Sequence, residues 1–181
     1  MNFLPKLILG VALSALAACV SSQQDSSTRK PVETVPTETA LNLFTDACLN
    51  TLPNFRKFES QVAKHGMQLV QGGLTRVYLH PENRELFATI SRELELWACG
   101  VIFVGPADKH SISQQFLNKA MSKTGGTPQS KIPISRYEVV HHLQNGSFFF
   151  HEVKRKRGQT LHFIMITPPV PRDGAFAYVY K

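Results

Sequence analysis

Three histidines in the C-terminal third of the chain, His142, His151 and His162, have the side chain and the spacing to share a metal ion. Asn145-Gly146 between them is the strongest short hairpin signal, and a two-residue turn there pairs His142 with Phe149 and Val140 with His151. With Arg157-Gly158 as the next turn, Val153 faces His162 and His151 faces Ile164. In that register the three rings project from one sheet face, where diagonal neighbours can converge on one divalent cation. Everything hangs on the register, because a slip of one residue turns a strand's whole set of side chains to the opposite face. Phe149 and Ile164 share the predicted face and argue for a covered sheet instead.

Other chemistry-bearing groups are sparser. Lys154, Arg155, Lys156 and Arg157 form a basic run at the predicted hairpin tip, fit to touch anionic lipid or an acidic partner, although charged tips also serve solubility alone. Glu93 and Glu95 lie two apart and share a strand face, with an exposed strand end as their expected home. Phe148, Phe149 and Phe150 alternate across a strand, so both sheet faces receive an aromatic side chain. The chain has no Gly-x-Ser-x-Gly elbow, no His-Glu-x-x-His, no Cys-x-x-Cys and no phosphate-binding Gly-Lys-Ser/Thr loop. No catalytic residue is assigned and no cofactor is called for.

The N-terminal residues carry an address. Residues 1–6 hold one positive charge, residues 7–16 form an apolar run too short to span a bilayer of about 30 Å, and Leu16-Ala17-Ala18-Cys19 follows. An ordinary small-residue cleavage site would account for the sequence as far as Ala18. With the cysteine directly after it, the tetrapeptide resembles the lipobox of bacterial lipoproteins. The resemblance implies that residues 1–18 are a signal peptide removed before Cys19, that the Cys19 thiol is diacylglycerylated, and that lipid anchors the protein to a membrane. Val20 and Ser21 leave no Asp at the second mature position, which resembles the pattern sent to the outer membrane, facing the periplasm.

Export also bears on the remaining cysteines. Cys48 and Cys99 are an even pair in an oxidising compartment, which favours a disulfide; closing a loop of about 50 residues contributes roughly 4 kcal/mol in the chain-entropy model. Two local patterns, Phe44-x3-Cys48-x4-Pro53-x-Phe55 and Trp97-Ala98-Cys99-Gly100-Val101, are similar to small exported bacterial domains of unknown function, a resemblance that implies no activity.

The elements that must position these groups follow from periodicity. Residues 19–39 comprise the lipidated cysteine and a tether rich in Ser, Gln, Thr, Glu and Pro, too poor in large apolar side chains to order itself. Residues 40–181 suit one domain with a real core. Helical spacing marks residues 37–50, a second helix capped by Asn54 and stopped at His65-Gly66, and a third over 108–123 with Ser111 and Gln114 as a capping box. Strands are expected over 74–79, 86–91, 94–104, 137–144, 147–155, 161–167 and 175–180. The fold class is α+β, with helices packed on a mainly antiparallel sheet that ends in a C-terminal β-meander. The net charge of +7 does not call for nucleic acid in an exported chain, which meets lipid head groups, wall polymers and acidic proteins first. The function expected is a membrane-anchored, non-catalytic binding or accessory component of the cell envelope with a protein partner. The alternatives are a small-ligand or metal-binding module and a hydrolase of cell-wall or lipid substrates.

Overall fold

The computed structural model describes residues 34–93, 96–126, 130–132 and 134–170 of the 181-residue chain. Helix α1 runs Thr37–Ala47 and buries Ala40, Leu43, Phe44 and Ala47, the one stripe that its spacing brings together. A short 3-10 turn, Leu49–Thr51, leads on toward α2 at Phe58–Lys64. Strands β1 (Gln68–Gln71), β2 (Arg76–Leu79), β3 (Leu86–Glu93) and β4 (Leu96–Gly105) follow. Helix α3, Lys109–Thr124, then leads to β5 (Ser130–Lys131), β6 (Val139–His142), β7 (Phe148–Lys156) and β8 (Gln159–Ile166). No helix among the described residues is long and apolar enough to cross a membrane.

The eight strands form one sheet in the order β1-β2-β3-β4-β8-β7-β6-β5, and each neighbouring pair is antiparallel. Two meanders thus meet at the β4–β8 ladder, with α3 spanning from the first to the far edge of the second. This is the expected α+β class, with a C-terminal meander in β6, β7 and β8.

The three helices share one face of the sheet. There Phe44, Phe116, Phe103 and Phe149 interlock, with ring centroids 5.5 Å apart for Phe44–Phe116, 5.7 Å for Phe103–Phe116 and 6.4 Å for Phe44–Phe149. Alternation along β7 sends Phe148 and Phe150 to the opposite face, where they join Ala98, Val140 and Met165 in a second, smaller cluster. That cluster is covered by the chain itself, through Ile132, Tyr137 and Val170, so no partner is needed to bury the aromatic triplet.

Cys48 and Cys99 form the expected disulfide, with Cα atoms 5.4 Å apart, and join the end of α1 to the centre of β4. Several local expectations shift. The first helix ends at Ala47 rather than at residue 50, and the 3-10 turn takes up the remainder. Asn54 does not cap α2; its Oδ1 accepts the backbone N–H of Arg56 at 3.1 Å, closing an Asx turn, and α2 begins only at Phe58. Asp108, not a Ser111–Gln114 box, caps α3 by accepting the Ser111 N–H at 3.0 Å, and Gln114 reaches Asn118 instead. Val35, assigned by composition to the tether, is buried and donates its N–H to the Val104 carbonyl at 2.8 Å. Strand β1 was not anticipated. Cys19, Glu95 and the strand expected over 175–180 lie outside the described residues.

Candidate functional site

The histidines are where register matters most. Between β7 and β8 the predicted pairing holds: Val153 faces His162 and His151 faces Ile164. The two-residue turn behind it has positive φ at both Arg157 (52°) and Gly158 (81°), the conformation that suits a tight hairpin. Between β6 and β7 the expectation fails by one residue. His142 pairs with Phe148, and Val139, not Val140, pairs with His151. The loop holds three residues rather than two: Gly146 donates to the Leu143 carbonyl at 2.9 Å, Leu143 donates to the Ser147 carbonyl at 2.8 Å, and Gly146 takes φ 90°. His142 is therefore on the opposite sheet face, stacked on Phe148 with centroids 4.8 Å apart. The three-histidine cluster does not form, and no group of three His, Cys, Asp or Glu able to hold a metal exists among the described residues.

His151 and His162 do meet, in a buried relay. His151 Nε2 lies 3.0 Å from His162 Nδ1, and His162 Nε2 lies 2.8 Å from the Pro106 carbonyl. A carbonyl only accepts, so His162 carries its proton on Nε2 and its Nδ1 accepts from His151 Nε2–H. Burial drives the His151 pKa down to about 3, with the His162 ring and the Lys109 ammonium adding to the effect. Burial also lowers His162, with the Pro106 carbonyl opposing it. Both rings are neutral at pH 7, and both His162 nitrogens are engaged. The pair is a polar brace between the β7–β8 ladder and the start of α3.

Acidic chemistry is likewise consumed by structure. Glu93, expected at an exposed strand end, is buried; it accepts from the Tyr137 hydroxyl and from Arg136 Nη1 at 2.9 Å. Arg136 Nη2 donates to Glu152 Oε2 at 3.0 Å, and Lys154 Nζ meets Glu152 Oε1 at 3.0 Å. Burial works to raise the Glu152 pKa, but the Arg136 and Lys154 hydrogen bonds outweigh it and hold the carboxyl below its ordinary range. Burial first, then the Glu93 hydrogen bond, pushes the Tyr137 phenol well above its usual value. Two carboxylates forked by one guanidinium fasten residues 134–137 over β3 and β7. Of the basic run, Lys154 is committed to Glu152 and lies 4.7 Å from the Phe163 ring, whereas Arg155, Lys156 and Arg157 are exposed at the β7–β8 tip as expected.

Two surface features remain uncommitted. The first is the β1 edge of the sheet. Among the described residues, strand β1 has β2 on one side and no strand on the other, carries no charge, and exposes Leu69 by 54% and Val70 by 55%. Leu74, in the turn that follows, is 76% exposed. Edge strands are ordinarily blunted by Lys, Pro, shortness or a bulge. The opposite edge, β5, is only two residues long. On β1, four residues long, a register irregularity between Leu69 and Gln71 accompanies the short length, with no Lys or Pro in the strand.

The second is a groove of about 580 Å³ on the helix face, within the usual range for small-molecule sites. Phe58, Ile90, Trp97 and Pro168 supply apolar lining, and Arg56, Arg76 and Glu59 supply charge. Its wall is the Pro53–Arg56 stretch. Phe55 sits at φ 54° with its side chain buried, a left-handed conformation that an aromatic residue adopts at a cost of about 1–3 kcal/mol, and the next residue, Arg56, is exposed in the groove lining. Arg76 of β2 pairs with Glu59 of α2, which also accepts the Tyr78 hydroxyl at 3.2 Å. Trp97 is 42% exposed, and the Arg92 guanidinium lies 5.9 Å from its ring. Neither feature was foreseen from sequence; an isolated tryptophan before a cysteine was the one available signal.

Protein-family models, curated proteins and solved structures yield no match to the chain.

Proposed function

We propose that this chain is a lipid-anchored lipoprotein of the bacterial cell envelope whose domain serves as a non-catalytic binding component, docking a partner through the edge of its sheet. The single observation that carries the reading is the uncharged β1 edge with Leu69, Val70 and the nearby Leu74 in solvent. An edge whose outward backbone N–H and C=O groups meet no other strand among the described residues, flanked by apolar side chains, is chemically complementary to one occupant, an extended segment of another protein that adds a strand.

The Leu16-Ala17-Ala18-Cys19 resemblance supports the anchor, with Cys19 lipidated, the domain facing the periplasm and the outer membrane favoured. The Cys48–Cys99 disulfide is in keeping with an oxidising compartment. The commitment of Glu93, Glu152, His151 and His162 to internal hydrogen bonds supports a binding role over a hydrolytic one.

The test is site-specific photocrosslinking in the native envelope, with the reactive group placed at Leu69 and, as a control, at the exposed Gln114 of α3. A discrete adduct with one protein from position 69 and none from 114 is expected. Equal, heterogeneous adducts from both positions would sink the reading.

A further inference from the structure

We infer that the Trp97 groove is a binding site for a single-chain anionic amphiphile, a carboxylate or similar head group on an apolar body. This is independent of the β1 edge and rests on how charge and apolar surface are laid out along the groove.

Sheet order gives the direction. Arg76 on β2 pairs with Ile90 on β3, Trp97 on β4 lies on the next row of the same face with Arg92 paired to it, and Pro168 is just past the end of β8. Three strand spacings of about 4.8 Å make this path roughly 14 Å long. Its β2 end holds Arg76 and Glu59, and the loop above presents Arg56. Toward β4 and β8 it becomes Ile90, Trp97 and Pro168. A ligand that spans it meets Arg56 and Arg76 at one end and the Ile90, Trp97 and Pro168 surface at the other, where the Arg92 guanidinium beside the Trp97 ring adds a further positive charge.

Charge selects the sign. Arg56 makes no ion pair among the described residues, and Arg76 shares Glu59 with Tyr78, so the groove lining carries two arginines against one glutamate and is net positive. An arginine fork meets a carboxylate or phosphate through two parallel N–H donors. The Trp97 ring supplies a flat apolar surface of the kind that an alkyl chain covers, and water displaced from it favours binding.

Trp97 is the sole tryptophan of the chain, so its fluorescence reports on this groove alone. The experiment titrates the full chain carrying Cys19→Ser, free of its own lipid, with decanoate below its micellar concentration. Decan-1-ol (same chain, no charge), butyrate (same head, no chain) and an acidic peptide are run in parallel. The expected result is a saturable blue shift with decanoate, at least about tenfold weaker with decan-1-ol and with butyrate, and weakened about tenfold by Arg56→Ala. Arg76→Ala should act in the same direction, while Arg56→Ala, at an exposed and unpaired position, keeps the test free of folding effects. No saturable shift with decanoate, an equal response to decan-1-ol, or indifference to Arg56→Ala would overturn the inference, as would saturation by the acidic peptide alone.

Discussion

Cys48 is bonded to Cys99, and the bond fastens the chain just ahead of the Pro53–Arg56 wall of the Trp97 groove to β4, the strand that carries Trp97. Cys48 immediately precedes the turn that leads into the Pro53–Arg56 wall, and Cys99 lies two residues beyond Trp97 on β4.

Removing that staple has two expected effects. With Cys48→Ala and Cys99→Ala together, urea unfolding should show a loss of about 4 kcal/mol, the chain-entropy value for a loop of this length. Trp97 emission should move to the red as the wall loosens. A stability loss with unchanged emission would place the disulfide's role in folding alone.

Stability should fall on acidification because of His151. Its folded pKa is about 3 and its unfolded value 6.5, so between those limits only the unfolded chain takes up the proton. Stability is complete above pH 6.5 and declines as pH drops, by about 2 kcal/mol at pH 5 from this residue. In His151→Gln, the gap between unfolding free energies at pH 7.5 and pH 5 should shrink by that amount. Identical gaps in parent and variant would contradict the buried neutral relay.

Arg136 should matter more than a half-exposed arginine ordinarily does. Arg136→Ala leaves Glu93 and Glu152 buried without their shared donor, and is expected to cost about 2 kcal/mol at pH 7. The depressed pKa of Glu152 makes its contribution present above the ordinary carboxylate range and lost as pH falls below it, so the penalty should lessen toward pH 3. Urea denaturation at the two pH values reads this directly.

What was legible in the sequence was local chemistry. Helical spacing marks α3 although its cap is Asp108 rather than the expected Ser111–Gln114 box, Arg157-Gly158 makes the β7–β8 turn by its backbone freedom, and Cys48 and Cys99 pair as an even count should. The β6–β7 register was not legible, because Asn145-Gly146 serves a two-residue and a three-residue loop equally well, and that single residue moves His142 across the sheet. The groove draws Arg56, Arg76, Ile90, Trp97 and Pro168 from five separate stretches, so no window of sequence contains it. Strand β1 is four residues of Gln, Leu, Val and Gln, with no alternation to mark it and only its pairing to β2 to make it a strand.

Lipid attachment at Cys19 is tested by fractionation. Cys19→Ala should move the protein from the membrane to the soluble periplasmic fraction, since each buried methylene of an acyl chain contributes about 0.8 kcal/mol to anchoring. Retention of the variant on the membrane would contradict a lipid anchor.

The most direct test of the proposed function compares the lipidated, C-terminally tagged chain with a Leu69→Lys, Val70→Lys variant. Both are crosslinked in their native envelope and purified. Exposed substitutions of this kind change stability by only about 0.5 kcal/mol, so the melting temperature should scarcely move. The expected result is one partner at near-equal stoichiometry with the parent chain and its loss from the variant. Recovery of the same partner by both, or of the protein alone by both, would contradict docking through the β1 edge.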